Sequence, residues 1–190
     1  APGKTRFGTV GPRIDGIEVK IAEDDEVLVR GPNVFQGYYK NQEATDETII
    51  DGWLHSGDLG KFDGDGFLSI IGRKKDIIIT AGGKNITPAN IESTLKNHPL
   101  IAEAVVIGDR RKYLSALLTL DEEEAARVGN GGANLHENAD IIAQVEEGVE
   151  TTNQNFARVE HIRKFTILPR NFNEESGELT PTSKIKRRVI

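Results

Sequence analysis

Two short apolar runs separated by four charged residues constrain this chain more than any other feature. Phe67-Leu68-Ser69-Ile70-Ile71 has the length of a strand, and Gly72 breaks it. Arg73-Lys74-Lys75-Asp76 follows, then Ile77-Ile78-Ile79-Thr80, which is β-branched and again strand-like. Gly82-Gly83 ends the second run and lets the backbone approach whatever sits there. A charged, glycine-started bend between two strands reads as a plain hairpin. It also reads as a break between two pieces of fold, because the pattern differs on its two sides.

Upstream, residues 7–71 read as strands and turns. Val19-Lys20-Ile21 and Val27-Leu28-Val29 are short strand candidates, punctuated by Gly31-Pro32-Asn33 and Gly37. Asn41 caps a short helix reaching about Ile49. Asp63-Gly64-Asp65-Gly66 is a tight turn. As a calcium loop it fails, because with Gly66 in the invariant glycine place the first and last ligands would be Lys61 and Gly72. Downstream of Lys84 the period becomes helical. Thr87 is a cap and Pro88 suits the first helical position, with Ile91 and Leu95 one turn apart. Ala104–Ile107 and Leu114–Leu120 are strands, and Asp121 with Glu124 caps a helix that Gly129 ends. Residues 130–138 read as loop. Ile141, Val145, Val149 and Phe156 share a stripe of a helix starting near Asp140, and Phe165–Leu168 is a last strand. The expectation is an α+β protein with a boundary at Gly72. Residues 1–72 form the β-rich end of a large domain. Residues 73–190 form a small α+β domain with a short hairpin, a three-stranded sheet and flanking helices.

Composition removes several functions. Net charge is −6 over 190 residues, which argues against nucleic acid as the main partner. Cysteine is absent, so thiolate chemistry and disulfides are excluded, and the composition suits a reducing, cytoplasmic setting. No apolar run approaches a membrane span of about 18 residues. His55, His98, His136 and His161 are scattered without metal-ligand spacing, so no metal site is expected. Methionine is also absent. The chain is therefore expected to be a piece of something longer, with Ala1-Pro2-Gly3-Lys4 leading straight into a Gly/Pro-rich strand region.

Four places carry residue types suited to chemistry, each with a plainer alternative. Asp58, at the end of an apparent strand, can accept two hydrogen bonds from a vicinal diol such as a ribose, or can simply cap a turn. Arg73 offers a fixed fork of donors for a ribose or phosphate, or is a solvated hairpin charge, as Lys75 and Asp76 also are on that reading. Gly82-Gly83-Lys84 can line a channel for an extended ligand, or be a turn; it is no phosphate-binding P-loop. Thr180-Pro181-Thr182-Ser183 is a rigid, hydroxyl-rich lead-in to Lys184, which either meets a bound anion or belongs to a solvated basic tail with Lys186, Arg187 and Arg188.

Taken in order, these pieces resemble the adenylate-forming (AMP-binding) superfamily, and within it the long-chain fatty acyl-CoA synthetases. Glu26-Val27-Leu28-Val29-Arg30-Gly31 through Gly37-Tyr38-Tyr39 is similar to the sixth core motif of that family. Trp53-Leu54-His55-Ser56-Gly57-Asp58 is similar to the seventh, Gly72-Arg73-Lys74-Lys75-Asp76 to the eighth, and Thr180-Pro181-Thr182-Ser183-Lys184 to the long-chain form of the tenth. The resemblance implies that Asp58 binds the ribose hydroxyls of ATP and of the acyl-adenylate, with Arg73 assisting. It implies that Lys75 is the hinge of a mobile small domain. Gly82, Gly83 and Lys84 would face the pantetheine arm of coenzyme A, and Lys184 would be the catalytic lysine of adenylate formation. ATP, magnesium, coenzyme A and a fatty acid would be the small molecules handled, and peripheral contact with a membrane is compatible with such substrates.

The resemblance has gaps. The Ser/Thr/Gly-rich phosphate loop, the adenine-holding motif expected before Thr9-Val10-Gly11-Pro12 and the acid pocket have no counterpart here. Position 25 is Asp where the sixth motif usually has Gly. The expectation is therefore the C-terminal portion of a ligase, inactive alone, with the missing N-terminal portion as its partner. The alternatives are a free-standing nucleotide- or CoA-binding module without catalysis, a ligase for another carboxylic acid, and a purely structural α+β domain.

Overall fold

A computed structural model describes residues 5–190, so the expectation for Ala1–Lys4 lies outside the described residues. The chain forms two compact units, Ala1–Lys75 and Asp76–Ile190. The division falls three residues later than the expected boundary, and the reason is local. Arg73 is the last residue of a strand and pairs across it with Asp58, while Lys74 bonds back to Asp24 and Glu26, so both belong to the first unit.

In the first unit, β1 (Gly11–Pro12), β2 (Glu18–Ile21) and β3 (Glu26–Arg30) precede helix α1 (Gln42–Thr48), and β4 (Ile49–Ile50), β5 (Trp53–Phe62) and β6 (Phe67–Arg73) follow it. They make one antiparallel sheet in the order β1-β6-β5-β3-β2, with β4 against β5. Asn41 caps α1 as expected, its side chain accepting the Ala44 N–H at 3.1 Å. Asp63 shapes the β5–β6 turn by accepting the N–H groups of Asp65 and Phe67. Val27, Leu28, Leu59 and Leu68 are the buried apolar residues between the strands. Gly60 is required by space: a Cβ there would lie 2.6 Å from Val27 and 2.9 Å from the Ser69 carbonyl. The pairing of β5 with β6 shifts register at that point.

The second unit contains β7 (Ile78–Ile79), β8 (Asn85–Ile86), α2 (Pro88–Leu95), β9 (Ile101–Ile107), β10 (Leu114–Leu120), α3 (Glu122–Val128), α4 (Ala139–Asn153) and β11 (Ile162–Ile167). β7 and β8 form the short hairpin; β11-β10-β9 is the three-stranded sheet, with β10 antiparallel to β9 and parallel to β11. A parallel pair needs a long crossover, and α3 and α4 supply it. The core is Ile86, Ile91, Leu95, Leu114, Leu118, Ile141 and Val145, all essentially inaccessible. Burying a side chain of this kind contributes about 1.5–3 kcal/mol.

The plain-hairpin reading is overturned: the strand ending at Arg73 pairs with β5, and Ile78–Ile79 pairs with β8, so the two runs lie in different sheets. Smaller differences are also local. Thr87 occupies the cap position of α2 but makes no side-chain cap bond, while Pro88 stands in the first turn as expected. Phe156 lies beyond the end of α4 yet packs against the same core as Ile141 and Val145. Gly129 ends α3, as its place after Val128 suggests, and Asp121 caps the start by accepting the N–H groups of Glu123 and Glu124.

Candidate functional site

In the first unit the register of β5 and β6 sets Asp58 opposite Arg73. The Arg73 Nε lies 2.9 Å from Asp58 Oδ1, and both side chains are about half exposed. Residues 15 apart in sequence thus become one paired, accessible donor-and-acceptor group. Arg73 Nη2 also donates to the Ser56 carbonyl at 3.4 Å. Gly57 between them has a φ of +71°, a left-handed turn that favours glycine, and the Ser56 hydroxyl accepts the Asp58 N–H while donating to the Val27 carbonyl.

Beneath this pair sits a carboxylate that sequence reasoning left without a role. Glu26 is buried, at 3% exposure. Its Oε1 accepts the Gly57 N–H at 2.8 Å; its Oε2 meets His55 Nδ1 at 3.0 Å and Lys74 Nζ at 3.1 Å. Burial alone would raise the Glu26 pKa, but bonds from His55, Gly57 and Lys74 outweigh it and hold the carboxyl below the ordinary range. Lys74 also bonds Asp24 at 2.6 Å, and Asp24 and then Glu26 raise its pKa. Lys74 is therefore anchored, not a free charge of a solvated bend. One buried carboxylate thus ties the residues preceding Asp58 to the residue following Arg73. No sequence signal separated Glu26 from its acidic neighbours Asp24 and Asp25. The Asp at position 25 has a φ of +66°, which explains why glycine is usual there: the turn from Ala22 to Glu26 needs a left-handed residue, and Asp tolerates it.

Lys75 lies exposed in a 3-10 turn, Lys74–Asp76, where the two compact units divide. Gly82, Gly83 and Lys84 form the exposed turn between β7 and β8. The Thr80 N–H donates to the Lys84 carbonyl at 3.0 Å, Gly83 N–H to the Thr80 carbonyl, and Lys84 N–H to Thr80 Oγ1. Gly83 needs its glycine for a φ of +76°, whereas a Cβ on Gly82 would meet nothing nearer than 3.9 Å.

Lys184 is exposed at the end of a turn of the same design. The Thr180 N–H donates to the Lys184 carbonyl at 2.8 Å, Ser183 N–H to the Thr180 carbonyl, and Lys184 N–H to Thr180 Oγ1 at 3.0 Å. Ser183 takes the left-handed place with a φ of +57°. The flanking residues Leu179 and Ile185 form a bridge. The tail beyond is not uniformly solvated: Arg187 is engaged by Glu92 in a bidentate pair at 2.6 and 2.7 Å. Among the described residues no group of three or more His, Asp or Glu side chains is placed to hold a metal ion, and no helix is long and apolar enough to cross a membrane.

Residues 75–190 match the family model for the AMP-binding enzyme C-terminal domain. The chain is 47% identical over 193 residues to the long-chain-fatty-acid–CoA ligase FadD15 of Mycobacterium tuberculosis, covering 97% of this chain and 32% of that protein. It is 38% identical to the human long-chain-fatty-acid–CoA ligase ACSBG1, covering 30% of it. It therefore spans about a third of the length of these curated relatives. Among solved structures, the o-succinylbenzoate CoA synthetase MenE of Bacillus subtilis, in complex with the acyl-adenylate intermediate OSB-AMP, superposes with a TM-score of 0.74 at 30% identity, over 96% of this chain and 35% of that one. With the family model covering more than half of its residues, the chain belongs to the AMP-binding enzymes and carries their C-terminal domain.

Proposed function

We propose that this chain supplies the ribose-binding, hinge, CoA-facing and lysine elements of an AMP-forming fatty acid–CoA ligase, working with an N-terminal portion of the same protein. The observation that carries the reading is the Asp58–Arg73 pair: an accessible carboxylate and guanidinium, 2.9 Å apart on neighbouring strands, Arg73 at the end of β6 and Asp58 in the middle of β5 and not at a strand end as expected. The Asp58 carboxylate accepts both hydroxyl protons of a ribose, and Arg73 fixes its orientation while offering its remaining donors. FadD15 and ACSBG1, named as long-chain-fatty-acid–CoA ligases, support the substrate class.

In the first half-reaction a fatty carboxylate attacks the α-phosphorus of ATP and magnesium pyrophosphate leaves. Magnesium arrives with ATP as substrate; among the described residues no group of three or more His, Asp or Glu side chains stands ready to hold it. Negative charge crowds the transition state, so the task of the protein is positioning and neutralisation. Lys184, exposed at the end of a closed turn, is the cation for that charge. At about 4 Å and an effective dielectric near 20, one such charge interacts by roughly 4 kcal/mol. In the second half-reaction the CoA thiol attacks the acyl carbonyl and AMP leaves. Gly82, Gly83 and Lys84 present a turn with little side-chain bulk for the pantetheine arm, and Lys75 is the pivot that exchanges the two turns. A cytoplasmic setting follows from the same reading.

The test uses the full-length enzyme with each half-reaction timed separately. Lys184→Ala should slow adenylate formation by roughly 100-fold or more and leave thioester formation from supplied acyl-adenylate intact. Lys186→Ala should be mild in both. If the two variants behave alike, the assignment of Lys184 is wrong. The 190-residue chain alone, given ATP, magnesium, palmitate and CoA, should release no pyrophosphate above the blank, and turnover that follows the purified chain would refute the need for an N-terminal partner.

A further inference from the structure

β9 is an edge strand, so one row of its backbone groups has no neighbouring strand. At Val106 that row is filled by side chains. The Val106 N–H donates to Glu92 Oε1 at 2.6 Å, and the Val106 carbonyl accepts from Arg187 Nη1 at 2.9 Å. Glu92 and Arg187 are joined to each other by the bidentate pair, and both are largely buried, at 12% and 26% side-chain exposure. The four groups form a closed ring. Glu92 comes from α2, Val106 from the sheet, and Arg187 from the tail three residues past Lys184.

The other end of the same segment is fastened by a second Arg–Glu pair, here through both terminal guanidinium nitrogens, whereas Arg187 meets both Glu92 oxygens with Nη2 alone. Glu178 accepts both Arg170 Nη1 at 2.7 Å and Arg170 Nη2 at 3.0 Å, and also the Asn173 N–H at 3.1 Å. The Lys186 N–H then donates back to the Glu178 carbonyl at 2.7 Å. Lys184 thus ends the turn of a small loop that has an Arg–Glu pair at each end.

We propose that the Glu92–Arg187 ring on Val106 is a positioning device that holds Lys184 for adenylate formation, with the Arg170–Glu178 fork as its second fastening. The proposal rests on the assignment of Lys184 given above. A five-residue turn fixes its own shape but not its place on the domain. Without Arg187 the remaining hydrogen bonds of the segment from Lys184 onward all run within the tail, to Glu178, Thr180 and Lys186. Misplacing one reacting group by about 1 Å costs on the order of 100-fold in rate. Arginine is needed because one flat fork must reach a carboxylate and a carbonyl together, which a lysine ammonium does not do.

Arg187→Lys is the informative variant, since it keeps the charge and removes the fork; Arg188→Lys, at an exposed neighbouring position, is its control. In the full-length enzyme Arg187→Lys should slow adenylate formation by roughly 10- to 100-fold through kcat, with thioester formation from supplied acyl-adenylate within about twofold and the melting temperature unchanged. Arg188→Lys should leave both half-reactions as they were. If Arg187→Lys is as silent as Arg188→Lys while Lys184→Ala is slow, the ring does not position Lys184. Equal losses in both half-reactions with a lowered melting temperature would reduce the ring to general stability and overturn the proposal. If Lys184→Ala is itself silent, the functional assignment fails, and hydrogen exchange of the 190-residue chain decides the ring. Faster exchange of the Leu179–Lys186 amides in Arg187→Lys upholds it, and unchanged exchange refutes it.

Discussion

The turns Thr80–Lys84 and Thr180–Lys184 are built alike and held differently. Each closes on a threonine hydroxyl that accepts the lysine N–H, each has a left-handed residue just before the lysine, and each ends in an exposed lysine. Thr80 is buried, and its hairpin is sewn to the core by Ile78 and Ile86, at 4% and 1% exposure. The Thr180 turn rests on an isolated bridge and on ion pairs, with Ile185 only half-buried. One turn is thus fixed by apolar burial and the other by forks of charge. Burial is insensitive to salt and to protonation near neutrality, whereas partly exposed ion pairs respond to both. Two lysines with identical local geometry therefore stand on supports that can be undone independently.

The comparison breaks most sharply at the isoleucines. Ile86→Ala should destabilise the second unit by about 2–5 kcal/mol, the range for a fully buried aliphatic truncation, while Ile185→Ala should stay under about 1 kcal/mol. Urea unfolding of the 190-residue chain measures both, and equal losses would mean the tail is packed as firmly as the hairpin. Next comes the backbone. Gly83→Ala meets no atom within 4 Å, so its whole effect is the left-handed φ and should be a loss of about 1–2 kcal/mol. The reciprocal change, Ser183→Gly, relieves a φ of +57° and should gain less than about 1 kcal/mol, because glycine loses more chain entropy on folding.

Acid should loosen one turn before the other. Glu178 is held below the ordinary carboxylate range, first by its bonds to Arg170, which outweigh the opposing effect of burial, and then by the Asn173 N–H. A depressed folded pKa means that the stabilisation is whole above the unfolded value, about pH 4, and is lost as pH falls through the folded one. Between pH 5 and about 3 the amides of Leu179–Lys186 should lose protection, corrected for intrinsic exchange, while those of Thr80–Ile86 keep theirs. Simultaneous loss would mean that the two turns share one support. The smallest effect belongs to the first unit. Asp25→Gly, at a φ of +66°, should shift stability by no more than about 0.5 kcal/mol, since Asp is among the residues that accept a left-handed backbone.

What could be read from the sequence was what is local or what the family motifs carry. The capping of α1 by Asn41 and of α3 by Asp121 depends on neighbours a few residues away, and both stand as expected. The pairing of Asp58 with Arg73 follows once Trp53–Phe62 and Phe67–Arg73 are taken as adjacent strands. The rest depends on partners far along the chain. Glu26 meets Gly57 31 residues on, and Lys74 48 residues on, so nothing in Asp24-Asp25-Glu26 marks the third residue as the buried one. Arg187 read as one more charge of a basic tail, yet it reaches Glu92 from 95 residues away. Phe67–Ile71 and Ile77–Thr80 read as partners because they are close in sequence; each found a better neighbour elsewhere.

The register shift between β5 and β6 makes the Asp58–Arg73 pair a matter of counting. Asp58 faces Arg73 and Leu59 faces Gly72, but Gly60 faces Ile70, so Ile71 is one residue for which β5 has no counterpart. Side chains alternate along a strand, and a slip of one position turns every later side chain to the other face. Losing one residue between Leu68 and Gly72 would therefore only remove the bulge and leave Arg73 opposite Asp58, whereas losing two would bring Lys74 opposite Asp58 and turn Arg73 away, with composition and hydrophobicity hardly altered. Lengthening the exposed Asp63–Gly66 turn would change neither strand. Along this hairpin, descendants of the sequence are free to vary in length at the turn, while β6 can shed the one unmatched residue and no more.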